Sequence, residues 1–119
     1  MHKIHFYKDK HGDKPVVDYI KELAGKHDKT SRIKLNKILV YIRTLRECGT
    51  QLGEPYIKHL GGEIWELRPI RDRILFAAWD GKGFVLLHPF MKKTQKTPLR
   101  EIERAKRELT DWKEGGSQR

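Results

Sequence analysis

The spacing of the apolar residues changes twice along the chain, and this change limits the possible folds. Apolar residues recur every three or four positions through residues 15–48, at every second position in parts of residues 64–90, and every three or four positions again from residue 99. A period near 3.6 residues is typical of a helix with one buried face, and a period of two is typical of a strand. The chain is therefore predicted to pack helices against a sheet.

Two helices are predicted in the first part of the chain. Pro15 suits the first turn of a helix that ends near Gly25. A second helix covers residues 29–48, and Gly49 is its terminator. Because the connection is short, the two segments are predicted to form a helical hairpin. Before them, residues 4–7 alternate between apolar and polar types, as a first strand does.

Three short strands follow, each rich in aromatic and branched residues. They are predicted at residues 64–70, 73–79 and 84–90. The Asp-Gly-Lys-Gly segment at residues 80–83 is a strong signal for a tight turn, and residues 71–72 can turn between the first two strands. The three segments are therefore predicted to form an antiparallel meander.

A last helix is predicted after the strands, with Thr97 as its cap and Pro98 in its first turn. Residues 115–119 are predicted to be a frayed tail. The 119 residues fit one domain, since most domains have roughly 100–150 residues. The expected fold is α+β, a small antiparallel sheet packed with an N-terminal helical hairpin and a C-terminal helix.

The composition favours an anionic partner. The 26 Lys and Arg residues exceed the 16 Asp and Glu residues and give a formal net charge of +10. Such an excess suits nucleic acid, although it also serves solubility alone. The single cysteine, Cys48, excludes an internal disulfide and a multi-cysteine zinc site.

The sequence carries none of the motifs that hold nucleotides, zinc or an activated serine, so we expect neither a cofactor nor a metal. No apolar run approaches the length of a membrane span, and the first ten residues do not resemble a signal peptide. A soluble cytoplasmic protein without a membrane partner is expected.

One face of the predicted sheet carries charged residues. Strand alternation sends Glu66 and Arg68 to the face opposite their apolar neighbours. The next strands and the segment after them add further groups: Arg73, His88, Lys92, Lys93 and Lys96. If the strands pair as a meander, these groups converge on one concave surface.

This set of residues suits cleavage of a phosphodiester by an RNA 2′-hydroxyl, because the phosphorane-like transition state needs fixed positive charge. Arg68 and Arg73 are suited to stabilise that charge with planar guanidinium groups. Crowding of Lys93 among other cations favours its neutral form and makes it a candidate base. Glu66 and His88 are alternatives for that role.

Each of these residues also has a plain structural interpretation. Glu66 and Arg68 are two positions apart, which is compatible with an ordinary surface ion pair. His88 is compatible with a packed histidine at the end of a strand, and the run of lysines at residues 92–96 with a solvated loop.

Four segments carry a resemblance to a known family. They are Ile-Trp-Glu-Leu-Arg at residues 64–68, Arg-Ile-Leu at 73–75, Leu-Leu-His-Pro-Phe at 86–90 and Lys-Lys-Thr-Gln-Lys-Thr-Pro at 92–98. In this order they resemble the HigB-like, phage-derived branch of the RelE/ParE toxin superfamily. The similarity extends by motif over residues 61–107 and implies a RelE-like fold.

The resemblance implies the toxin of a type II toxin-antitoxin system. Such a toxin cleaves messenger RNA on the ribosome without a metal and is neutralised by a HigA-like antitoxin with a helix-turn-helix domain, which links the pair to operator DNA. The matching catalytic positions are Arg68, Arg73 and Lys93, with Glu66 and His88 as second-rank candidates. The RNA-binding candidates are Lys58, Arg71, Lys92 and Lys96.

Two other functions remain open at this point. A ParE-like toxin that inhibits DNA gyrase needs a binding surface and no ribonuclease site. A non-catalytic module would use the same basic face only to neutralise phosphates or to bind a partner.

Overall fold

The computed structural model describes residues 1–119, which form an α+β fold with one sheet and three helices. The elements are β1 (Lys3–Phe6), α1 (Pro15–Ala24), α2 (Lys29–Cys48), β2 (Ile57–Gly61), β3 (Ile64–Leu67), β4 (Asp72–Trp79), β5 (Gly83–Met91) and α3 (Leu99–Lys113). The predicted fold class and all three helices are confirmed. None of these helices combines the length and the apolar composition that crossing a membrane requires.

The five strands are arranged in the order β1-β5-β4-β3-β2. Strands β2 to β5 form an antiparallel meander, as predicted for β3 to β5, whereas β1 joins β5 in parallel at the edge. Strand β2 is not predicted from the sequence. In this edge strand only Ile57 is buried, so its apolar periodicity is weak.

Helices cover both faces of the sheet. The hairpin of α1 and α2 packs over Ile74 and Phe76 of β4. On the other face, α3 packs over Leu75 and Ala77 of the same strand. Because successive side chains of a strand point to opposite faces, β4 is apolar on both sides. The face that carries Glu66 therefore lies against α3 instead of facing solvent, which corrects the prediction of one core face and one charged face.

The two turns of the meander differ in how well the sequence predicts them. Asp80 and Gly81 both have positive φ values, 56° and 64°, as a type I′ hairpin requires, so the turn predicted at residues 80–83 is confirmed. The turn between β3 and β4 occupies residues 68–71 instead of residues 71–72. It contains Ile70, a branched residue at φ 58°.

The ends of α3 differ from the prediction. Thr97 is not a cap: Pro98 occupies the N-cap position, and no side chain caps the helix there. Residues 115–119 are not frayed. Gly116–Gln118 form a 3-10 turn, and the Arg119 guanidinium donates two hydrogen bonds to the carboxylate of Asp111.

Candidate active site

A small open cleft lies where β5 ends and α3 begins. Strand register brings its floor together, because Arg73 pairs with Phe90 and both lie on the α3 face, as does Glu66 of β3. The segment of residues 92–98 forms the rim, since α3 starts only at Leu99. The lining residues are Glu66, Arg68, Arg73, Phe90, Lys92, Lys93, Thr94, Gln95, Lys96, Thr97 and Pro98.

Glu66 is the buried centre of this cleft, with 1% of its surface exposed. Its Oε2 accepts a 2.5 Å hydrogen bond from the Thr97 hydroxyl. Its Oε1 lies 3.4 Å from Nε of Arg68 and 3.8 Å from Nε of Arg73. A buried carboxylate is stable only when partners compensate its charge. Glu66 is therefore an internal counterion for two guanidinium groups, and the interpretation as a surface ion pair is wrong.

Arg73 is fixed in place by the turn between β3 and β4. Its Nη1 donates hydrogen bonds to the carbonyls of Ile70 at 2.9 Å and Asp72 at 2.8 Å. Its side chain is only 7% exposed. Burial, followed by the nearby charge of Arg68, lowers the pKa of Arg73 from its ordinary value. An arginine remains protonated despite such a shift, so Arg73 supplies a fixed positive charge.

Arg68 is more accessible, with 21% of its side chain exposed. Its buried Nε makes no hydrogen bond, because the approach to Glu66 at 3.4 Å lacks the required geometry. The Nη1 and Nη2 groups of Arg68 make no hydrogen bond within the protein and are not buried, so they are the donors that a ligand in the cleft can reach. This is the property expected of a side chain that binds an anionic ligand.

Three lysines on the rim complete the positive charge of the cleft. Lys92 is half-buried, whereas Lys93 and Lys96 are exposed. The Lys92 amide donates to the carbonyl of Arg71 at 2.8 Å, and the Thr94 hydroxyl donates to the carbonyl of Lys96 at 2.6 Å. Five cationic side chains therefore surround one carboxylate, and the cleft has a net positive charge.

Comparison with known proteins assigns the chain to a family. The sequence model of the family described as phage-derived protein Gp49-like (DUF891) matches residues 18–110. The chain belongs to the Gp49-like family. This family is RelE-like and toxin-like. No curated protein matches the chain in a sequence search.

The Gp49-like match includes every residue of the cleft. One of the predicted catalytic residues, His88, lies outside the cleft. His88 is fully buried beneath α3. Its Nδ1 lies 2.6 Å from Oε1 of Glu108, and its Nε2 lies 3.0 Å from Oε1 of Glu101. Both ring nitrogens are thus occupied by carboxylates of α3, and His88 does not reach the cleft.

Two of the four RNA-binding candidates lie beside the cleft instead of in it. Lys58 is exposed on β2 and pairs in register with Glu66. Arg71 is exposed and lines a neighbouring apolar notch with Ile70 and Met91. Lys92 and Lys96 line the cleft itself. All four candidates nevertheless lie at the same end of the sheet, where β2 and β4 begin and β3 and β5 end.

Two residues that position the site in this Gp49-like chain are not predicted as site residues. The sequence predicts a capping role for Thr97, but its hydroxyl binds Glu66. It places Ile70 in a strand, but the Ile70 carbonyl lies in a turn and accepts a hydrogen bond from Arg73. The Thr-Pro pair at residues 97–98 is typical of a helix start, so the sequence does not indicate that Thr97 binds Glu66. No sequence signal indicates that the Ile70 carbonyl binds Arg73. No set of three or more His, Cys, Asp or Glu side chains is arranged to hold a metal ion.

Proposed function

We propose that this chain is the HigB-like toxin of a type II toxin-antitoxin system and that it cleaves messenger RNA on the translating ribosome. The observation that supports this function best is the cleft itself, in which Arg68 and Arg73 lie against buried Glu66 and beneath a rim of lysines. A cognate helix-turn-helix antitoxin would neutralise the toxin.

The proposed reaction is an internal transfer within the RNA strand. The 2′-oxygen forms a bond to the adjacent phosphorus, and the bond from that phosphorus to the 5′-oxygen breaks. One proton leaves the 2′-hydroxyl and one reaches the departing 5′-oxygen, so the products are a 2′,3′-cyclic phosphate and a 5′-hydroxyl. Negative charge accumulates on the non-bridging oxygens in the transition state, where fixed cations have their greatest effect.

The proposed role of each cleft residue follows from how far its side chain is exposed to solvent. Arg73 provides buried positive charge at the floor of the cleft, and Arg68 contacts a non-bridging oxygen with its unused donors. Lys93, exposed on the rim, is the candidate for proton transfer. Lys92 and Lys96 bind flanking phosphates. Glu66 keeps the two guanidinium groups in place and is a positioning residue.

The test is induced expression in a bacterial host with mapping of new 5′ ends in messenger RNA. The parent is compared with Arg68→Ala, Arg73→Ala and Lys93→Ala, and with Arg107→Ala on the exposed surface of α3 as a matched control. Cuts should appear only in translated messages and persist in the control. Each cleft variant should lose roughly 100-fold in cleavage. Circular dichroism and thermal unfolding establish that the variants are folded.

Other outcomes identify the competing functions. Growth arrest with intact messages and blocked replication would replace the proposal with gyrase inhibition. Salt-sensitive RNA binding without cleavage, weakened equally by all the cleft variants, would leave a non-catalytic binding module.

A further inference from the structure

A wide surface groove lies between β1 and α2, on the opposite face from α3. It is lined by Met1, His2, Lys3, Ile4, His5, Phe6, Leu39, Ile42, Arg43 and Arg46. It shares no residue with the cleft described above. The groove therefore needs an explanation of its own.

One wall of the groove is an open sheet edge. The Lys3 amide donates to the carbonyl of Lys82, and the Tyr7 amide donates to the carbonyl of Leu86, so the odd-numbered residues of β1 face β5. Since successive peptide groups of a strand point in opposite directions, the amide and carbonyl groups of Ile4 and Phe6 point away from β5. No other backbone group bonds to them. An unpaired edge of this kind can accept an additional strand.

The floor and the second wall of the groove are apolar. The side chains of Ile4 and Phe6 are half-buried against the core beneath α2. On α2, Ile42 is half-buried and Leu39 is 46% exposed. An added strand would therefore find apolar contacts for every second side chain, because those side chains point to the α2 face.

The charge of the groove is entirely basic. Lys3, Arg43 and Arg46 line it together with two histidines, and no carboxylate does. Helix α2 as a whole contains six Lys or Arg residues and one acidic residue, Glu47. On β1, Lys3 and His5 lie on the face opposite Ile4 and Phe6, so the side chains of an occupant that point away from the apolar floor meet basic groups and are expected to be acidic.

These properties favour a polypeptide over a nucleic acid. The outward amides and carbonyls of Ile4 and Phe6 form an alternating row of donors and acceptors, which the backbone of an extended peptide matches in register and a phosphodiester backbone does not. We infer that the groove binds an extended segment of a partner protein, in which apolar residues alternate with Asp or Glu, as an additional strand along β1. This interaction goes beyond the proposed RNA cleavage and does not depend on it.

The probe for this inference is a short fluorescent peptide that alternates valine and glutamate, and fluorescence anisotropy measures its binding to the full chain. A peptide with lysine in place of glutamate should not bind. Two further peptides carry N-methyl groups on the valines or on the glutamates. In an added strand the valines and glutamates present their amides to opposite sides, so one of these peptides should lose binding and the other should retain it.

The protein is varied in parallel. Lys3→Glu, on the face of β1 to which the glutamates of the peptide point, should weaken peptide binding by about fivefold or more. Lys106→Glu, the same charge change on the exposed surface of α3, should leave it unchanged. Equal effects of both substitutions, or equal effects of both N-methylated peptides, would overturn the inference. Displacement of the peptide by an RNA oligonucleotide that depends on Arg43 and Arg46 would identify a nucleic-acid surface instead.

Discussion

The Thr97 hydroxyl donates a 2.5 Å hydrogen bond to the buried carboxylate of Glu66, and this bond joins the segment before α3 to the centre of the sheet. It is the one hydrogen bond that Glu66 accepts from a side chain, since the two arginines approach only at ion-pair distance. The position of the lysine rim relative to the cleft floor therefore depends on Thr97.

Replacing Thr97 with valine should destabilise the protein by about 1.5–3 kcal/mol, because a hydrogen bond to a buried charged group is lost at constant shape. Urea unfolding measures the change. Thr97→Ser keeps the hydroxyl and should recover most of the stability. Thr94→Val removes an exposed hydroxyl from the same segment and serves as the control. An equal loss at Thr94 would show that the Glu66 contact has no special importance.

His88 is expected to stabilise the fold by connecting β5 to two positions on α3. In His88→Leu the carboxylates of Glu101 and Glu108 lose this hydrogen-bond partner, and leaving a buried polar group unsatisfied typically costs about 1–3 kcal/mol. Chemical unfolding should detect this loss. Adding Glu101→Gln and Glu108→Gln should restore part of it. A loss below about 1 kcal/mol in His88→Leu would contradict the structural role.

Ile70 adopts a backbone conformation that suits glycine, with φ 58°, and its side chain is 51% exposed. A left-handed conformation costs a branched residue about 1–2 kcal/mol, so Ile70→Gly should leave the free energy of unfolding unchanged or raise it. Ile33→Gly is the matched control, because Ile33 is similarly exposed within α2 and should lose about 1 kcal/mol there. A comparable loss at both positions would mean that Ile70 is not strained.

Asp111 should make stability sensitive to acid. Its hydrogen bonds from Arg119 and Tyr7 lower its pKa from 3.8 to about 2. A carboxyl group with a lowered pKa in the folded state stabilises the protein above its ordinary pKa and loses this effect as the pH falls through the folded value. The stability advantage of the parent over Asp111→Asn should therefore shrink between about pH 4 and pH 2.

Thermal unfolding across this pH range provides the measurement. Asp13→Asn, at a position whose side chain makes no hydrogen bond, is the control and should track the parent. A difference between the parent and Asp111→Asn that stays constant with pH would mean that the contact with Arg119 does not persist in solution.

Local signals in the sequence were sufficient for much of this fold. Pro15 and the Asp-Gly-Lys-Gly segment determine the backbone conformation only of the residues next to them. The start of α1 and the tight hairpin can therefore be predicted from these short segments alone. The convergence of Arg68, Arg73 and Lys93 was also predictable, because pairing in a meander places alternate residues of adjacent strands on one face.

The remaining features depend on contacts between distant segments. The burial of Glu66 and His88 results from α3 covering the second face of the sheet, and no pattern within β3 or β5 reveals that cover. The ordered tail depends on Arg119 meeting Asp111 and the carbonyl of Lys8, which lies far away in the sequence. A charged residue in an alternating strand looks the same whether it meets water or another helix.

The parallel pairing of β1 with β5 has a consequence for the order of events during synthesis. The first strand to leave the ribosome can join the sheet only beside the last one, so β1 remains without its neighbour until residues 83–86 have emerged. The groove along β1 then exists only once the sheet is complete. A partner that binds in this groove would therefore bind the folded protein and not a chain that is still being synthesised.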